Sequence, residues 1–145
     1  MTLETNNDIL EFLKKHIYYL EDKELETKLK ELRNKTLFNA TIIDPTGNTS
    51  IFPNSESEEI FYLEAEYENQ QNNYLNTLNY NEKIALLILM YLGRDNNISS
   101  ITIEDFKINY NFYYPQHSNN EYLNSQMTGN GCFIYYLYQA ISKIK

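Results

Sequence analysis

Apolar positions recur along this chain at helical spacing and rarely at the alternation of a strand. Ile9, Leu10, Leu13, Ile17 and Leu20 mark one stripe, and Leu25, Leu29 and Leu32 resume it after a charged junction at Glu21 to Glu24. This predicts one long amphipathic helix or a helical pair, started by Asn7 or Asp8. The charges from Lys14 to Lys35 fall mostly between those positions, and Glu24–Lys28 and Glu26–Lys30 have the favourable i, i+4 order. A second helical stretch runs from about Glu56 to Thr77, with Ile60, Leu63, Tyr67, Tyr74, Leu75 and Leu78 on one broad face.

The residues from Ile84 to Leu92 are apolar on every side, so other elements must wrap that helix. Asn79 and Glu82 have capping-box spacing at its start, and Gly93 suits the left-handed position that ends a helix. Thr102 can cap a short helix bearing Ile103, Phe106 and Tyr110, which must stop near Pro115. Ser118-Asn119-Asn120-Glu121 is another capping box, and Gly129-Asn130-Gly131 interrupts the helix it opens. The last helix places Phe133, Ile134, Leu137, Ala140, Ile141 and Ile144 against the core, with Lys143 and Lys145 complementing its own C-terminal dipole. Between Thr36 and Ser57 the pattern fails around Asp44-Pro45-Thr46-Gly47-Asn48 and Pro53. The expected fold is therefore mainly α: a compact single-domain bundle of five or six helices over residues 1–145, with one long ordered loop or short hairpin around residues 36–57.

Composition narrows the function. With 145 residues the chain has the length of one domain, and 4 Gly and 3 Pro leave few forced turns. A formal charge of −8 disfavours direct nucleic-acid binding, which rests on Lys and Arg neutralising phosphates, and suits a basic protein partner. The single Cys132 cannot form an internal disulfide, and neither a charged-then-apolar leader nor a transmembrane run is visible. These features point to a cytoplasmic protein without a membrane role.

The segment Asn81-Glu82, Ala85-Leu86, Met90, Leu92-Gly93-Arg94, followed by Tyr122-Leu123 and Tyr136-Leu137, resembles a small, mainly proteobacterial helical domain family of uncharacterised function. The likeness covers the second half of the chain; the Trp usual in that family near Tyr91 is absent here. It implies a compact helical fold and assigns no activity.

Charge is distributed unevenly. No Lys or Arg occurs from Thr36 to Glu82, a stretch that carries Asp44 and seven Glu, whereas seven of the twelve basic residues lie between Lys14 and Lys35. Glu56, Glu58, Glu59, Glu64, Glu66 and Glu68, with Tyr62 and Tyr67, thus form the candidate partner-binding face of a non-enzymatic acidic interaction module: a bacterial or phage inhibitor, immunity or anti-defence protein that captures a basic partner. A solvated helix face explains the same acid run without any partner. The alternative is a small enzyme or ligand-binding domain using Arg94 with His117 and Cys132. Against it, Arg94 suits bonding the last carbonyls of the preceding helix, and Cys132 suits an inert buried position. His16, His117 and Cys132 exhaust the soft ligands and fall short of a four-ligand zinc site, so neither metal nor cofactor is expected. Among the 14 tyrosines, Tyr113, Tyr114 and Tyr135 are the candidates for exposure.

Overall fold

The computed structural model describes residues 2–40, 55–116, 120–129 and 131–145. Those residues form seven α-helices and no strand: α1 (Asn6–Leu20), α2 (Lys23–Ala40), α3 (Ser55–Leu75), α4 (Tyr80–Arg94), α5 (Ile103–Tyr113), α6 (Asn120–Thr128) and α7 (Phe133–Lys143), with a 3-10 turn at Tyr114–Gln116. The fold is mainly helical, with one helix more than the five or six expected, and the first stretch is the helical pair of the two alternatives. Glu21 N–H closes α1 on the Ile17 carbonyl, and the Asp22 carboxylate accepts the Leu25 N–H at 3.0 Å to start a new helix. α1 itself starts two or three residues earlier than Asn7 or Asp8 would place it, from Thr5, which exchanges capping-box bonds with Asp8. α2 continues through Ala40, since Thr36 to Ala40 contains no Gly or Pro to stop it. The loop or hairpin read around residues 36–57 otherwise falls largely on 41–54, outside the described residues.

The chain divides into two compact units, Asp22–Asn69 on one side and Met1–Glu21 with Gln70–Lys145 on the other. In the larger unit α4 is the centre: Lys83 to Met90, Leu92 and Gly93 are buried, and α5, α6 and α7 pack around it. The Asn79–Glu82 capping box forms as the spacing predicts, and Thr102 pairs in the same way with Asp105. α7 turns Phe133, Ile134, Leu137 and Ala140 inward, while Ile144 joins the core from just beyond the helix end and Ile141 is only half-buried.

Gly93 does not end its helix in the left-handed conformation. It lies inside α4, and a Cβ built there would meet the Tyr136 carbonyl oxygen at 2.1 Å and the Ala140 nitrogen at 2.9 Å. The glycine is needed for close approach of two helix backbones, α4 and α7. Lys143 also differs from its expected role. Its ammonium donates to the carbonyls of Leu92 (3.0 Å), Gly93 (2.9 Å) and Asp95 (2.8 Å), closing the end of α4 from the last turn of α7.

Asparagine ties the periphery together. Asn6 Oδ1 accepts the Ile103 N–H at 2.7 Å while its amide donates to the Lys145 carbonyl. Asn124 Nδ2 donates to Asn76 Oδ1 at 2.7 Å, and the buried Thr128 hydroxyl donates to Asn72 Oδ1 at 3.0 Å, fastening α6 to the end of α3.

Candidate functional site

Within the acidic run of α3, in the smaller unit, Glu58, Glu59 and Glu66 share one solvent-facing side. No residue from Ser57 to Asn69 is fully buried; Ile60, Leu63, Ala65 and Tyr67 are half-buried, and Glu58, Glu59, Glu66 and Glu68 are exposed. Glu58, Tyr62 and Glu66 stand four residues apart, so the Tyr62 ring has a carboxylate one turn to either side, with Glu59 beside it at i−3. Phe61 packs edge-on to Tyr62 with ring centroids 5.9 Å apart, and each of the two residues is 67% exposed. A shallow recess lined by Ser57, Glu58, Phe61 and Tyr62 lies on the same turn.

Two of the predicted face residues have internal work instead. Glu64 accepts a hydrogen bond from Arg33 Nη2 of α2 at 2.7 Å. The Tyr67 hydroxyl donates to Glu26 at 2.6 Å and accepts the Asp22 N–H at 3.1 Å, so it fastens α3 to the start of α2. The Glu56 side chain lies outside the described residues. Phe61, absent from the predicted set, belongs to the face; its signal was an aromatic residue standing off the apolar stripe of Ile60, Leu63 and Tyr67.

Of the residues of the alternative site, Arg94 and Cys132 lie on different elements. Arg94 is exposed, with its guanidinium 4.8 Å from the centroid of the Tyr91 ring, while the α4 carbonyls expected to hold it belong to Lys143. Cys132 is exposed, not buried, at the N-cap of α7, and makes no side-chain capping bond there. It follows Gly131, whose φ of +73° turns the chain into the helix. His117 lies outside the described residues. Tyr114 and Tyr135 are exposed as anticipated, whereas Tyr113 is half-buried and packs on Tyr91.

A second polar cluster, in the larger unit, was not signalled by spacing. His16 on α1 is 1% exposed; its Nδ1 lies 2.7 Å from the Tyr74 hydroxyl, and its Nε2 lies 3.8 Å from Glu82 Oε2 with no hydrogen-bond partner among the described residues. Burial pushes the imidazole below its ordinary pKa, partly opposed by the Glu82 carboxylate and reinforced by Lys15. Burial raises the Tyr74 phenol, with Glu82 and Tyr19 acting in the same direction. Among the described residues no group of three or more His, Cys, Asp or Glu is placed to hold a metal ion, and no helix is long and apolar enough to cross a membrane.

No family model matches the chain, and searches of curated proteins and of solved structures return no match.

Proposed function

We propose that the chain is a non-enzymatic acidic interaction module, a cytoplasmic inhibitor, immunity or anti-defence protein of bacterial or phage type, that binds a basic protein through the outer face of α3. The observation that carries the reading is the placement of Tyr62 and Phe61, largely exposed, among Glu58, Glu59 and Glu66. A carboxylate face that only kept the protein in solution would have no need of two large aromatic rings at its centre, because exposing them costs hydrophobic free energy. Rings set among carboxylates suit Arg and Lys, whose cationic ends are attracted to aromatic faces and whose aliphatic stems cover apolar surface. Long-range attraction by the acid face speeds encounter, and the aromatic pair supplies buried area on contact. Kinship with the uncharacterised helical family belongs to the same reading, but its Leu92-Gly93-Arg94 segment concerns the α4–α7 contact and bears on fold, not on partner choice.

The test is a titration of the isotopically labelled protein with a lysine- and arginine-rich helical peptide, followed by amide shifts at low and high salt. Shifts centred on Glu58, Tyr62 and Glu66, weakened by salt and abolished by combined Glu58→Lys, Glu59→Lys and Glu66→Lys, support the assignment. Shifts spread evenly over all exposed carboxylates would reduce the acid run to a solvating surface.

A further inference from the structure

We propose that His16, Tyr74 and Glu82 form an acid-sensitive latch, in which protonation of His16 reverses its hydrogen bond with Tyr74 and draws the Glu82 carboxylate away from the capping box of α4. The three side chains come from different elements: His16 from α1, Tyr74 from the last turn of α3, and Glu82 from the first turn of α4. The charged and titratable groups facing the imidazole are Lys15 on its own helix, Tyr74 and Glu82, while Phe12 meets it edge-on at 4.4 Å and Tyr19 stacks on Tyr74 at 5.4 Å.

The neutral tautomer follows from the surroundings. A hydrogen on Nδ1 would leave the Nε2 lone pair facing a carboxylate 3.8 Å away, whereas a hydrogen on Nε2 points a donor toward that carboxylate and leaves Nδ1 to accept from the Tyr74 hydroxyl at 2.7 Å. In that state the Nε2–H is a buried donor whose nearest charged acceptor stands beyond hydrogen-bond range.

A proton taken from solvent must go to Nδ1. That nitrogen then donates, so the Tyr74 oxygen has to accept and its own O–H must swing away. The imidazolium is now a buried cation, and Glu82 is the carboxylate that can neutralise it. Glu82 is not rigidly committed elsewhere: its Oε1 accepts the Asn79 N–H at 3.3 Å, the long end of the range. Movement of the carboxylate toward Nε2 would give up that capping bond, while the reciprocal bond from the Glu82 N–H to Asn79 Oδ1 at 2.9 Å does not involve the carboxylate and stays. One proton thereby loosens the start of the central helix and alters the hold on the last turn of α3.

Burial makes the fold take up this proton less readily than the unfolded chain does. Stability is therefore complete above the ordinary imidazole value of about 6.5, declines as pH falls below it, and levels off below the folded value. With only two histidines in the chain, the window between pH 7.5 and 5.5 separates this event from carboxylate titration.

The experiment is imidazole and amide nitrogen NMR on the full chain from pH 7.5 to 5.5, with denaturant unfolding over the same range. The latch requires the Nε2–H tautomer at pH 7.5, a His16 midpoint below the ordinary value, and an Asn79 amide shift that follows that midpoint. The unfolding equilibrium constant should rise by several-fold, at most about tenfold for one proton over two pH units. His117→Gln should keep that response and Glu82→Gln should abolish the Asn79 shift while His16 still titrates. An Asn79 amide that stays still through the His16 titration, or a resting Nδ1–H tautomer, overturns the proposal. The wild-type spectra decide this without any substitution of His16.

Discussion

α3 and α4 are both uninterrupted helices beginning with polar residues, yet they spend their side chains in opposite ways. In α4, ten of fifteen residues are buried and the helix is closed at one end by Asn79 with Glu82 and at the other by Lys143. In α3, the stretch from Ser57 to Asn69 buries no residue fully, and among the described residues polar contacts such as Glu64 to Arg33 and Tyr67 to Glu26 tie it to α2. The difference separates tasks. A helix apolar all round holds a core together and has no face to offer, whereas a helix with one modest inner face can change its outer residues at little cost to folding.

The strongest way to break this contrast is Leu87→Ala. Leu87 is fully buried at the middle of α4, and removing its side chain should cost about 2–5 kcal/mol in denaturant unfolding. A loss under about 0.5 kcal/mol, typical of surface sites, would mean that α4 is not the structural centre. Gly93→Ala sharpens the same side of the comparison. Because the added methyl would collide with backbone at Tyr136 and Ala140, not with a movable side chain, overpacking should destabilise by about 1–3 kcal/mol. An unchanged or raised melting temperature, as expected if the glycine merely weakened its helix, would show that α4 and α7 are not in such close approach. The smallest effect is expected from the other side: Glu58→Lys, Glu59→Lys and Glu66→Lys should each leave stability within about 0.5 kcal/mol, and combined they should remove the peptide response described above. Thermal unfolding of the triple variant checks this, and a large loss would make the acid face a structural element.

Much of the fold was legible because helix boundaries are local. Asn79 and Glu82, or Thr102 ahead of a short apolar stripe, carry their meaning within one turn. Gly93 shows where local chemistry runs out: a glycine after an apolar run suits both a left-handed stop and a close crossing, and the choice depends on Tyr136 and Ala140, more than forty residues away. Lys143 was misassigned for the same reason, since its stem can reach a neighbouring helix end as easily as its own. Within the candidate site, the acid run and Tyr62 could be read from the sequence, but the pairing of Glu64 and Tyr67 with α2 could not, because it depends on how α2 and α3 lie together. His16 sits on an apolar stripe that spacing alone describes as filler, and its significance arises only from Tyr74 and Glu82, brought to it from other helices.

The close passage of α7 over Gly93 also sets an order of events during synthesis. α4 leaves the ribosome well before α7, so its most apolar surface must wait without its principal cover while α5 and α6 are made. Such a nascent chain is prone to wrong association, and it gains from a holding chaperone until the last helix arrives.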